Sequence, residues 1–267
     1  MSPEQSIFQT LRGDARIWAI GAIHGAADRL SSIHRQISRQ YRTGDQIVYL
    51  GNYFGHGRDI RPTIDAMLLF RRAVLAEPGA DCGDVVFLRG AQEEMWQKLL
   101  QLQFASRPAE VLRWMADQGI GATIEAYGST LEEAMLSARD GTLSLTRWTN
   151  QMRQNLRACD GHGSLMSALR HAAFTDSGSL LFVHAGLDPA RPLAAQSDSF
   201  WWGASGFSAI DAPYEGYRRV VRGFDRRRGG LMETPHTLSI DGGCGFGGDL
   251  LAVELIPGGA TGQVLRA

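Results

Sequence analysis

The sequence predicts an α/β fold that carries a helical insertion, and three observations predict it. Short apolar runs with β-branched or aromatic character alternate with helix-compatible stretches over the first third of the chain. Each of those runs stops at or beside a glycine that a polar cluster follows. A long middle stretch then reads as helix alone, before strand-like runs return.

Taken in order, the strand candidates are RIWAIG (16–21), QIVYLG (46–51) and DVVFLRG (84–90), separated by helix candidates over 28–42 and 59–77. That alternation is expected of parallel strand–helix–strand units with right-handed crossovers. From about 93 to 170 the chain is helical in pattern, with EEMWQKLLQLQ, PAEVLRWMADQ and TLEEAMLSAR as its clear segments. Strands are expected again at SLLFVHAG (179–186), RRVVRG (218–223), HTLSIDGG (236–243) and DLLAVELIP (249–257). No internal repeat, low-complexity tract or long linker divides the 267 residues, so a single domain spanning 1–267 with an insertion at about 93–170 is expected.

Composition narrows the class. With 44% hydrophobic and 21% charged residues the chain is neither disordered nor fibrous in type. A formal net charge of −1 lacks the basic footprint of a general nucleic-acid binder. Cys82, Cys159 and Cys244 are odd in number and far apart, which suits a reducing compartment and no zinc finger. The first residues show no basic run leading into an apolar core, and no apolar run approaches ~18 residues. A soluble, cytoplasmic protein with no membrane and no nucleic-acid partner is the expectation.

In open α/β sheets chemistry sits outside the carboxyl ends of strands. Five such junctions stand out: GAIHG (21–25), GNYFGHG (51–57), LRGAQEE (88–94), VHAGLDP (183–189) and VVRGFD (220–225). Their order and spacing resemble the calcineurin-like metallophosphoesterase family, especially its bacterial serine/threonine protein phosphatases. That family reads roughly G-D-x-H-G, G-D-x-x-D-R-G, R-G-N-H-E, V-H-A-G and V-x-G-H-T. The segments WMADQGIGATIEAYG (114–128), LDPARPLAAQ (187–196) and IDGGCGFGGDLLAVEL (240–255) extend the likeness over nearly the whole chain. The resemblance implies a four-layer αββα sandwich with a helical insertion. It also implies two divalent metals, such as manganese or iron and zinc, and phosphomonoester hydrolysis.

The departures from that pattern fall on the chemistry. The family's first aspartate ligand is Ala22 here, its bridging aspartate is Asn52, its asparagine is Ala91 and its last histidine is Phe224. His24 and His184 keep their residue. The acid histidine is Gln92, the aspartate that orients it is Gly55, and a phosphate-gripping arginine is His56. A second arginine matches Gly203. By contrast, the turn glycines Gly21, Gly25, Gly51, Gly57, Gly90, Gly186 and Gly223 are all kept. Two dications need fixed anionic ligands, and losing both aspartates removes that charge. With these substitutions no catalytic residue and no metal are expected. His24, Asn52 and His184 remain weak candidates for a single ion.

Several readings stay open. His24 and His184 either hold an ion or anion, or are satisfied by hydrogen bonds within a vestigial pocket. His56, Arg58 and Arg222 either contact an anion or are ordinary loop residues; the six arginines of 217–230 either line the pocket or point into solvent. Phe224 and Ala91 read as packing in the emptied metal volume. Of Trp201 and Trp202, at least one is expected in the core. The leading functional expectation is a pseudophosphatase, a binding or regulatory module engaging a protein partner such as a phosphoprotein or an active phosphatase. One alternative is a phosphoesterase with an atypical or mononuclear metal, recruiting Asn52, Asp59, Glu93 or Asp225. The other is a phosphate or nucleotide sensor that uses the vacant pocket.

Overall fold

The computed structural model describes residues 7–203 and 205–267. Among these residues eleven strands form two mixed sheets. The first five-stranded sheet has at its centre β2 (Ile17–Ile20) beside β3 (Gln46–Tyr49) and β4 (Val85–Phe87), all parallel. It continues through the antiparallel β10 (Leu251–Leu255) to β11 (Thr261–Arg266) at the other edge. The six-stranded sheet runs β1 (Phe8–Leu11), β5 (Ala172–Thr175), β6 (Leu180–Val183), β7 (Arg219–Arg222), β9 (Thr237–Asp241) and β8 (Gly230–Glu233). In it β6, β7 and β9 are mutually parallel.

Strand composition explains the layering. In β2, Ile17 and Ala19 face the space between the sheets, while Trp18 and Ile20 face the helices. All four are buried, as expected of a strand covered on both sides. The same alternation puts Val48 between the sheets and Ile47 and Tyr49 under the helices. The inter-sheet core is completed from the other sheet by Phe182, Val221 and Ile240. The far face of the six-stranded sheet buries Leu181, Val183 and Val220 beneath Phe200, Trp201 and Phe207. The layers are therefore helix, sheet, sheet, and a thinner cover made of short helical turns and loops.

Nine α-helices are present among the described residues. The crossover helices α1 (Ala27–Ser38) and α2 (Ile60–Leu75) join β2, β3 and β4, as the strand–helix alternation predicts. Between β4 and β5 come six consecutive helices: α3 (Ala91–Leu99), α4 (Pro108–Asp117), α5 (Ile120–Ala126), α6 (Leu131–Asp140), α7 (Thr142–Ala158) and α8 (His162–Ala168). Their apolar faces, with Leu112, Ile124, Trp148 and Met152, merge with those of α1 and α2 into one core cluster. The insertion thus thickens the helical layer. The ninth helix, α9 (Ser199–Trp202), belongs to the opposite cover, and the structure buries Trp201 there while Trp202 stays half-buried.

Four strands were not anticipated. β1, β8 and β11 lie at sheet edges, where one neighbour suffices and apolar content falls; β5 is only four residues, AAFT. No helix among the described residues is long and apolar enough to cross a membrane.

Candidate functional site

The carboxyl ends of β2, β3, β6 and β7 meet where the two sheets touch, and the glycine junctions make that contact possible. The backbone N–H of Ala22 donates to the Gly223 carbonyl across the sheets at 3.0 Å. A Cβ on Gly223 would lie 2.2 Å from Leu50 Cβ, and one on Gly51 would lie 2.6 Å from His184 Nδ1. These positions admit no side chain, which accounts for their survival.

Two non-glycine residues here take left-handed backbone conformations: His24 at φ +54° and Asn52 at φ +56°. They are held together because Ile23 and His24 both donate their N–H groups to the Asn52 carbonyl, at 3.0 and 2.7 Å. Glu93 holds the second junction open from inside α3. Its buried carboxylate accepts from the N–H groups of Asn52, Tyr53, Phe54 and Gly90 at 2.7–3.1 Å. Burial pushes the Glu93 pKa up, and those four donors oppose the shift.

The structure brings His24, Asn52, His184 and Phe224 together. Phe224 stacks on His184 with centroids 5.4 Å apart and planes 6° from parallel, and lies edge-on to His24 at 6.3 Å. His184 is fully buried; its Nδ1 meets the Leu50 carbonyl at 2.7 Å, and its Nε2 has no partner. His24 has Nε2 at 3.4 Å from Asn52 Nδ2 and an unpartnered Nδ1. Burial lowers the pKa of His24 to about 3 and that of His184 to about 4, so both are neutral imidazoles at pH 7.

Gln92, where the resemblance implies an acid histidine, is held by a backbone contact. Gln92 is buried and donates from Nε2 to the Gln118 carbonyl at 2.8 Å, which leaves its Oε1 unpartnered. Gly55 has φ +121°, and a Cβ there would stand 2.6 Å from His24 Nδ1. Any side chain at 55 therefore displaces His24. Ala22 is buried, and Ala91 opens α3 and packs into the cover of the six-stranded sheet.

The two-metal centre implied by the family resemblance can be tested against these donors, and they do not fit it. No group of three or more His, Cys, Asp and Glu side chains able to hold a metal occurs among the described residues. The Asn52 oxygen is already engaged, accepting from the Gln92 N–H at 3.0 Å. Glu93 is committed to backbone donors, and Asp225 pairs with Arg222 at 2.7 Å. Asp59 is exposed at the start of α2 and joins no cluster. Phe224 sets an apolar ring beside His184 and brings no donor atom of its own.

The anion-contact candidates separate. His56 is exposed, edge-on to His24 at 5.3 Å and tilted against Phe246 at 4.3 Å. Partial desolvation by the surrounding rings and the nearby Arg228 cation lower its pKa. Arg58 is exposed, with no ion pair among the described residues. Arg222 belongs to a neighbouring cavity that shares Phe224 as a wall. Sequence reasoning missed Phe246, which Arg228, one of the six arginines of 217–230, covers: Arg228 Cζ lies 3.3 Å from the Phe246 ring centroid, and Phe246 lies 5.2 Å from His24. A lone aromatic among the glycines of GGCGFGG was the available signal.

No protein-family model matches the sequence, and no curated protein matches it either. Solved structures do resemble it over almost its whole length. One is a protein provisionally named a diadenosine tetraphosphatase, with 20% identity, 98% of each chain covered and a TM-score of 0.54. A second is a protein serine/threonine phosphatase from Saccharomyces cerevisiae, 12% identical, covering 99% of this chain and 84% of that one at a TM-score of 0.54. A third is a cold-active protein tyrosine phosphatase, 13% identical, with 98% and 81% coverage and a TM-score of 0.58. At these identities the likeness is one of fold. The chain shares the two-sheet architecture of these solved structures.

Proposed function

We propose that the protein is a pseudophosphatase: a phosphatase fold kept as a cytosolic binding or regulatory module, without a metal pair and without turnover. It acts by engaging a protein partner, a phosphoprotein or an active phosphatase. The observation that carries this reading is Phe224 lying flat on His184, at 5.4 Å and 6°. Its ring contributes packing where the resemblance expects a ligand. The engaged Asn52 oxygen and the absence of an acid at Gln92 point the same way.

The test compares the natural chain with a fivefold variant, Ala22→Asp, Asn52→Asp, Ala91→Asn, Gln92→His and Phe224→His. Both are purified with added Mn²⁺, then assayed by elemental analysis and with an aryl phosphate. The natural chain is expected to hold no stoichiometric metal and to show no turnover, while the variant gains metal. Stoichiometric metal together with hydrolysis by the natural chain would overturn the proposal.

A further inference from the structure

The cavity on the far side of Phe224 has a volume of about 380 Å³, at the small end of ligand pockets. Its chemistry is mixed in an orderly way. Trp202, Phe207 and Phe224 supply flat apolar walls, and Arg222, Arg226 and Arg227 supply positive charge. Arg222 is fixed in place: its guanidinium lies 4.1 Å from the Phe207 ring centroid, its Nε donates to Ser239 Oγ at 3.0 Å, and it pairs with Asp225 at 2.7 Å. That pair consumes the carboxylate in the cavity wall. Arg226 and Arg227 make no ion pair or side-chain hydrogen bond among the described residues, so three arginines face one aspartate.

Two positions where the sequence departs from the resemblance line this same cavity. Phe224 presents one side to His184 and also forms part of the cavity wall. Gly203 leaves open a place where an arginine was expected, and the nearest atom to a Cβ built on it is Ala185 Cβ, 3.6 Å away. The substitutions that empty one pocket thus help shape its neighbour.

We infer that this cavity binds a small aromatic anion: a flat ring stacked among Trp202, Phe207 and Phe224, carrying one phosphate or carboxylate that reaches Arg226 and Arg227. Guanidinium forks suit either oxyanion, and aromatic walls suit the ring. The inference extends the binding-module reading, yet it does not need the metal to be absent.

Trp202 provides the readout. Its fluorescence is followed in EDTA during titration with phenyl phosphate, benzoate and adenosine monophosphate, with phenol, adenosine and inorganic phosphate as partial ligands. The anionic rings are expected to saturate the signal, each at least about tenfold tighter than its ring or phosphate alone. The double variant Arg226→Ala/Arg227→Ala, at exposed positions, is expected to weaken them about tenfold or more. Ser208→Trp, at an exposed position of the wall, fills the cavity and should abolish the signal change. A preference for phenyl phosphate or for benzoate identifies the oxyanion, and either sustains the inference. It is overturned if no anionic ring saturates, if phenol or inorganic phosphate binds as well, or if neither variant alters binding. Binding that requires added Mn²⁺ and ignores Arg226 and Arg227 also overturns it. The pseudophosphatase reading instead stands or falls on metal content and turnover.

Discussion

Two buried histidines, one in the helical layer and one at the strand ends, are held in different ways. His162, in the helical layer, uses both ring nitrogens: Nδ1 meets the Tyr127 hydroxyl at 2.8 Å and Nε2 meets Asp65 at 3.0 Å. His184, at the strand ends, uses only Nδ1 and leaves Nε2 buried without a partner. His24 beside it is short of a partner as well, at Nδ1. The histidine in the helical layer is satisfied, and the two at the strand ends are not. A buried polar atom without a partner costs about 1–3 kcal/mol.

The contrast can be broken most forcefully at His162. His162→Leu strands the Tyr127 hydroxyl in the core and should cost about 2–4 kcal/mol in urea unfolding. A loss below about 1 kcal/mol would erase the distinction between the two regions. A smaller effect comes from pH. His184 titrates at 6.5 in an unfolded chain and at about 4 in the fold, so the unfolded state takes up a proton first as pH falls. Its contribution is complete above 6.5 and is lost progressively on acidification toward 4. Between pH 6.5 and 5.5 one such histidine accounts for about 1 kcal/mol. His24, His34 and His171 act in the same direction. The His184→Phe variant should therefore show a shallower acid slope than the natural chain, and equal slopes would contradict the burial argument. The smallest effect is expected from the same variant at pH 7.5. There the removed orphan offsets the lost bond to Leu50, and stability should change by less than about 1 kcal/mol. A loss as large as that of His162→Leu would make His184 a structural residue.

Much of this architecture was legible because it rests on local pattern. The runs ending in Gly21, Gly51 and Gly223 read correctly as strands, since each centres on apolar residues that are buried and the close approach of the sheets demands glycine. That His24, Asn52, His184 and Phe224 converge was implied by the family resemblance rather than by local pattern. What escaped was set by distant partners. β1 forms because Phe8 to Leu11 pair in register with Ala172 to Thr175, more than 160 residues away. Arg228 finds Phe246 across a turn in which it takes φ +51°, a conformation nothing in RRRGG announces. The division of the arginines was hidden too. Arg222 turns toward Phe207 while Arg228 turns toward Phe246, and tertiary packing alone decides between those faces.

The left-handed turns at His24 and Asn52 set the direction of both side chains. Each costs roughly 1–2 kcal/mol in a residue with a Cβ, and each is enforced by hydrogen bonds to the neighbouring strand end. The main chain therefore fixes where residues 24 and 52 are presented, whatever side chains they carry. New chemistry at this junction can begin from side chains alone, with the backbone left in place.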